Sequence, residues 1–264
     1  MTAASTSTAA SGGAARVSVI MPVFNSGKTL RKAIDSVLRQ TFPAVELIIV
    51  DDCSTDDSAA IIEAYAGVDS RVKSIRQPAN AGVAAARNSG LDAATGSHIA
   101  FLDSDDWWDP HKLEIQLEQM RLSDARVCYA TYQRVDEAGK AISLVSPPSA
   151  ITYTDLLKSN YIGHLTGIYA RSIGDFRFRR IGHEDYVFWL DVVKTTGGAV
   201  CASSQHPLAF YTVRSGSVSA NKLRAAGWQW RIYRDVLHLS AFDASLYMIH
   251  YAIRAIIKRR PEIP

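Results

Sequence analysis

Apolar residues fall into two spacings along the first half of the chain, and the two alternate. Val17–Met21 is a short β-branched run of strand character, and Pro22–Gly27 reads as the turn after it. Leu30, Ala33, Ile34, Val37 and Leu38 then recur at helical spacing, with Lys28, Arg31, Lys32 and Arg39 on the other faces. Leu47–Val50 is a near-continuous apolar strand ending in Asp51 and Asp52, and a helical pattern follows through Ile61, Ile62 and Tyr65. Val72–Ile75 predicts a third strand, Gly82–Ala94 an Ala-rich helix and Ile99–Leu102 a further strand, with another helix beginning near Pro110. The second half is less regular. Val127–Val135 and Ala141–Val145 flank the turn-like Asp136–Lys140, and Pro147 and Pro148 mark a loop. Glu184–Thr195 predicts a helix that buries Val187, Phe188, Leu190 and Val193. Leu208–Val213 is strand-like, and from Lys222 the pattern is helical to the end.

Strands alternating with helices predict an α/β fold, with a parallel sheet covered on both faces. Ligands bind such sheets beyond the carboxyl ends of the strands. Polar residues collect there: Asn25 after the first strand, Asp51 and Asp52 after the second, Asp103 and Asp105 after the strand that follows Gly96. Separate loops should therefore converge on one crevice. The segment Phe101-Leu102-Asp103-Ser104-Asp105-Asp106 is the most telling, because it crowds three carboxylates into one loop where like charges repel. A divalent cation accounts for that crowding. Mg²⁺ and Mn²⁺ take oxygen donors, and Mg²⁺ is usually held by one or two carboxylates with substrate phosphates completing its shell. The loop points to phosphate or nucleotide-diphosphate chemistry. Asp106 has another reading, as the cap of the helix near Pro110.

Composition narrows the class. The 264 residues are 47% apolar and 21% charged, as in one large globular domain or one domain with a helical annex. A net charge of +3 is too small to imply a nucleic-acid partner. Cys53, Cys128 and Cys201 are odd in number and widely spaced, which fits neither a disulfide framework nor a zinc site and favours a reducing cytoplasm. Residues 1–15, Ala, Ser, Thr and Gly after Met1 and without side-chain charge, read as a disordered leader and not a signal peptide. No apolar run reaches the roughly 18 residues of a spanning helix, so the chain is expected to be soluble or peripheral to the inner face of a membrane.

Several segments, in order and at matching spacing, resemble family 2 inverting glycosyltransferases of the bacterial polysaccharide type. Val17-Ser18-Val19-Ile20-Met21-Pro22-Val23-Phe24-Asn25 is similar to their opening strand, and Val50-Asp51-Asp52-Cys53-Ser54-Thr55-Asp56 to their nucleotide-binding loop. Asn80-Ala81-Gly82 through Arg87-Asn88-Ser89-Gly90 resembles their helix entry, and Leu102-Asp103-Ser104-Asp105-Asp106 their DxD motif. His183-Glu184-Asp185-Tyr186 resembles the acidic pair that carries their catalytic base, and Arg214, Ser217 and Ser219 an Arg-x-x-Ser-x-Ser segment that closes over the diphosphate. Cys53 departs from the pattern, since many relatives carry Gly or Ala there.

The resemblance implies a GT-A fold: a Rossmann-like, mixed and mainly parallel sheet with helices on both faces, plus a C-terminal helical annex. It divides the chain into a catalytic domain over residues 16–220 (nucleotide half 16–108, acceptor half 109–220) and an extension over 221–264. It implies transfer of a sugar from a UDP-sugar, with Mn²⁺ or Mg²⁺, to a saccharide or lipid-linked acceptor. Asp105 is implied as the direct metal ligand. Asp103 binds the metal, its water or the ribose, with Ser104 beside it. Asp52 is implied to read the uracil ring, while Pro22, Val23 and Asn25 line the same pocket. Gly82 opens a helix whose N-terminus favours anions, and Arg87 either meets phosphate or holds an acid of the DxD loop. Asp185 is the implied base, with Glu184 and His183 on the acceptor. Adjacent helical side chains diverge by about 100°, so only one acid of the pair is expected to face the reaction centre. On the residues alone, both acids could simply start a helix whose dipole welcomes them.

The end of the chain adds a surface. Phe242, Leu246, Ile249, Ile253 and Ile256 form an amphipathic row followed by Lys258, Arg259 and Arg260, and from Asn221 on there are eight basic residues against three acidic ones. This helix either packs on the catalytic domain, pairs in a homodimer or lies on anionic lipid. Two other functions compete. A nucleotidyltransferase shares sheet, metal and acidic loops but wants a Gly-rich basic loop where Pro22–Gly27 stands. A non-catalytic nucleotide-sugar-binding module would not need Asp185.

Overall fold

The computed structural model describes residues 16–214 and 222–257. The expected leader, Ser217, Ser219 and the basic run Lys258–Arg260 lie outside them. The first half is built as its spacing predicts: β1 (Val17–Val23), α1 (Leu30–Leu38), β2 (Val45–Asp51), α2 (Ser58–Val68), β3 (Val72–Arg76), α3 (Val83–Ala93) and β4 (His98–Phe101). β1 and β2 are buried at every position, which their unbroken apolar character requires of strands covered on both faces. The second half carries β5 (Trp107–Trp108), α4 (Lys112–Ser123), β6 (Val127–Ala130), β7 (Tyr132–Val135), β8 (Ala141–Val145), β9 (Ala150–Thr152), α5 (Tyr153–Lys158), β10 (Ile168–Ala170), α6 (Glu184–Thr196), β11 (Gly198–Ala202) and β12 (Ala209–Thr212). After the undescribed gap come α7 (Lys222–Arg231), a wider π-type turn over Ile232–Val236, and α8 (Ala241–Ile257).

The main sheet has eight strands in the order β3-β2-β1-β4-β10-β6-β11-β9. β1 to β4 run parallel, whereas β10 is antiparallel to both β4 and β6. The sheet is therefore mixed, as the family resemblance implies. The expected strand Val127–Val135 is broken at Thr131, whose carbonyl accepts from Leu208 N–H. Its halves join different sheets, since β7 belongs to a second, four-stranded sheet in the order β5-β12-β7-β8 that the hydrophobic pattern did not predict.

Alternate side chains of β1 feed two cores. Val17, Val19 and Met21 face Leu30, Ala33, Ile34 and Val37 of α1, together with Ile61 and Ile62 of α2 and Leu113 of α4. Ile20 faces the other way, with Ala84, Ala86 and Leu91 of α3 and Val187, Phe188 and Trp189 of α6. Ile232, Tyr233 and Ala244 of the C-terminal helices belong to this second core. Residues between Asp109 and Lys112 start α4: Asp109 accepts from His111 N–H and Lys112 N–H. Asp106 is not its cap, because its carboxylate turns to Thr212 N–H instead.

The amphipathic row of α8 is placed unexpectedly. The helix docks through Ala244, Tyr247 and Met248, leaving Phe242 at 79%, Leu246 at 45% and Ile249 at 57% exposure. The side chains of Ile253 and Ile256 lie outside those described. Among the described residues no helix is long and apolar enough to cross a membrane.

Candidate active site

A cavity of about 720 Å³ opens beyond the carboxyl ends of β1, β2 and β4. Its wall includes Pro22, Val23, Asp52, Gly82, Arg87, Asp103, Ser104, Asp105, His183, Glu184, Asp185 and Arg214, all singled out from the sequence. Asn25 stands apart from this wall. Its φ is 49°, its Oδ1 accepts from Thr55 N–H at 2.8 Å, and its own N–H donates to Ser54 Oγ at 3.0 Å. It stitches the loop after β1 to the loop after β2, and Phe24 and Ser26 take the wall on either side of it.

The loop after β2 is held by its own strain and hydrogen bonds. Cys53 sits at φ 65°, a left-handed conformation that glycine adopts without cost and other residues adopt only under strain. Asp52 is buried, and each carboxylate oxygen accepts one backbone N–H, Ala81 at 2.8 Å and Gly82 at 2.8 Å. It does not cap α2, whose N-cap position is Asp57. Gly82, at φ 88°, makes the turn that lets both amides point at Asp52 before α3 begins.

Arg87 reaches the acidic loop from α3. Its Nη2 lies 2.8 Å from Asp103 Oδ1, its guanidinium stacks over Phe178, and its buried Nε has no hydrogen-bond partner among the described residues. Burial alone would raise the Asp103 pKa, but the Arg87 charge, His164 and the Arg87 hydrogen bond outweigh it and hold the carboxyl below its ordinary range. Asp105 differs. Burial and the neighbouring Asp103 raise it, against the pull of Arg214, whose Nε is 3.0 Å from Asp105 Oδ2. Asp106 is pushed well above the usual range by burial and by both neighbouring acids. Ser104 Oγ donates to Ser26 Oγ at 2.7 Å and ties this loop to the one after β1.

The far wall comes from the second half of the chain. His183 holds φ 60° and ends a loop from which α6 starts with Glu184 and Asp185 in its first turn. Both acids line the cavity. Phe24, Val83, Gly182, Tyr211 and Trp228 also line it and were not foreseen. Phe24 carried a signal that was available: an aromatic in a polar turn between Pro22 and Gly27, 49% exposed in the structure. Trp228 did not, because nothing local connects residue 228 to residue 182.

The acidic loop fits a cation. Asp103 and Asp105 present their carboxylates to the cavity, paired with Arg87 and Arg214, while Asp106 is buried behind them on Thr212 N–H. Among the described residues no group of three or more His, Cys, Asp or Glu side chains is placed to hold a metal ion by itself.

Comparison with known proteins places this arrangement. The chain is 33% identical over 249 residues to the Escherichia coli UDP-Glc:alpha-D-GlcNAc-diphosphoundecaprenol beta-1,3-glucosyltransferase WfgD, covering 92% of this chain and 94% of that protein. Its fold is similar to S. aureus TarS in complex with UDP-GlcNAc, with a TM-score of 0.72 at 22% identity over 90% of this chain and 71% of the other. It is also similar to the mannosyltransferase PcManGT of Pyrobaculum calidifontis in complex with GDP-Man and Mn²⁺, with a TM-score of 0.66 at 16% identity over 89% and 70% of the two chains. Residues 18–182 match glycosyl transferase family 2, and with the GT-A architecture around the cavity the chain belongs to that family of enzymes.

Proposed function

We propose that this glycosyltransferase moves a sugar, with inversion, from a UDP-sugar to a lipid-linked saccharide, with Mn²⁺ or Mg²⁺ as cofactor. The observation that carries the reading is the single cavity in which Asp52, the Asp103–Asp105 loop and Asp185 meet. The nucleotide lies over the ends of β1 and β2. Each oxygen of Asp52 keeps a second lone pair beside its backbone bond, and one of them accepts the uracil ring N–H. Phe24 offers its exposed ring to the base, a contact worth about 1–3 kcal/mol in single-stranded nucleic-acid sites. The N-terminus of α3 at Gly82 favours the diphosphate. Asp105 and Asp103 would hold the cation. When bound, it neutralises charge on the departing nucleoside diphosphate as a Lewis acid. Arg87 keeps Asp103 ionised and in place, and Arg214 with Ser217 adds to the diphosphate side.

Asp185 takes the proton of the acceptor hydroxyl as it attacks, because a sugar hydroxyl does not ionise at neutral pH. Glu184 and His183 orient the acceptor. The UDP donor and lipid-linked acceptor are supported by the named activity of WfgD, and the cation by the acidic loop. The domain limits 16–220 and 221–264 belong to this reading, with the extension lending Trp228 to the cavity. A cytoplasmic protein that meets its acceptor at the inner membrane face through Phe242, Leu246 and Ile249 completes it.

Thermal shift tests the donor site. Ligand that binds only the native state raises the melting temperature, by about 2.7 kcal/mol of stability at a hundredfold excess over Kd. UDP should raise it with Mn²⁺, not with EDTA, and not in Asp105→Ala. No rise with any uridine compound would overturn the base assignment. Release of pyrophosphate in place of UDP during turnover would identify a nucleotidyltransferase.

A further inference from the structure

We propose that Trp228, carried by the C-terminal helix α7, is the platform on which the acceptor sugar lies beside Asp185; the inference rests on the glycosyl-transfer reading of the cavity. The indole lines the same cavity as Glu184 and Asp185. The loop before those acids is shaped around it. A Cβ at Gly182 would stand 2.5, 2.6 and 2.7 Å from Cδ2, Cε2 and Cγ of the ring, so only glycine lets the backbone pass this close. His183 meets the indole edge-on, with centroids 5.2 Å apart and planes at 89°. Its buried Nε2 has no hydrogen-bond partner among the described residues.

The platform is held from outside the catalytic domain. Just past α7, Ile232 and Tyr233 are buried in the core, and Tyr233 Oη donates to Leu157 O. That anchor sets the phase of α7. Trp230 lies about 200° round the helix from Trp228, on its open side, and is 38% exposed. A pyranose presents an apolar C–H face and a rim of hydroxyls. A partly buried aromatic ring in a cavity that also holds two carboxylates complements both. The donor end of the cavity has its own aromatic, Phe24. The ring that touches the loop bearing the proposed base serves the molecule that loses the proton.

The test uses the full-length protein, UDP-glucose and a synthetic α-GlcNAc-diphosphate lipid. Acceptor KM is read from initial rates, and UDP-glucose Kd from calorimetry, for W228L and W228F. W228L keeps an apolar side chain without the flat ring, so acceptor KM should rise about tenfold; W228F should stay within about threefold, and UDP-glucose Kd within about twofold in both. An unchanged acceptor KM in W228L overturns the platform. So does equal weakening of UDP-glucose, which would make the ring a structural prop of the whole site. A wild-type protein that binds no UDP-sugar is a different result, and it overturns the reading of the cavity itself.

Discussion

Asp185 and Glu184 stand next to each other on one wall, yet the chemistry needs only one base. Removing the base and removing an orienting acid should have separable consequences. Asp185→Asn is expected to lower kcat by about 10²–10⁴, the usual worth of general base catalysis, with UDP-sugar affinity retained. Glu184→Gln should act mainly on acceptor KM. Initial-rate kinetics with both substrates varied, alongside calorimetric donor binding, checks this. A kcat left intact in Asp185→Asn removes it as the base. Asp52 shows how a short motif can be misread in isolation. A carboxylate before a helix looks like a cap, but its oxygens reach instead across the chain to Ala81 and Gly82. Its place in the cavity was legible from the motif, whereas its backbone partners depend on a fold that brings residue 81 to residue 52.

At the scale of elements, the close approach of α3 to β1 depends on Gly90. A Cβ there would lie 2.4 Å from Ile20 Cγ2, inside a core where Ile20 is fully buried. Gly90→Ala gains up to about 1 kcal/mol of helix propensity but overpacks the core at a cost of about 1–3 kcal/mol. Net destabilisation is expected as a lower urea midpoint, and an unchanged midpoint would show that α3 shifts freely. At the other end of the sheet, Glu46 of β2 is buried beneath Lys73 and Arg16. Burial raises its pKa, but hydrogen bonds from Lys73, Ser18 and Thr95 outweigh that and bring it down to about 2 from 4.5. Because the folded value is the lower one, its stabilisation is complete above pH 4.5 and is lost as pH falls through about 2. Denaturant titrations of wild type and Glu46→Gln should differ by about 2–3 kcal/mol at pH 7 and converge in acid. A constant gap across that range would mean that Glu46 is held by packing alone.

Among the described residues, the row Phe242, Leu246 and Ile249 is used by neither core nor cavity. Residues of such size left open on a docked helix suit a surface partner, and the basic residues after Ile257 favour an anionic one. The wild-type protein should float with anionic liposomes at low salt and sink at high salt. Phe242→Glu with Ile249→Glu should stay at the bottom throughout. Wild type that sinks with every vesicle, and elutes as a dimer by light scattering, would assign the row to a second copy of the chain.

The order of βα units, the acidic loops and several residues that line the cavity from the first half could be read from the amino-acid sequence, because each belongs to a local motif. Period distinguishes helix from strand, and an unbroken apolar run marks a doubly covered strand. Tertiary structure decided the rest: the antiparallel β10 between β4 and β6, the second sheet, the pairing of Arg214 with Asp105, and the meeting of Gly182 with Trp228. A short strand chooses its partner by closure of the whole sheet, and a side chain chooses its neighbour by where a distant helix is anchored. Neither choice leaves a periodicity in the chain. The outward row of α8 has the same cause, since spacing defines an apolar stripe while the docked core determines which stripe it buries.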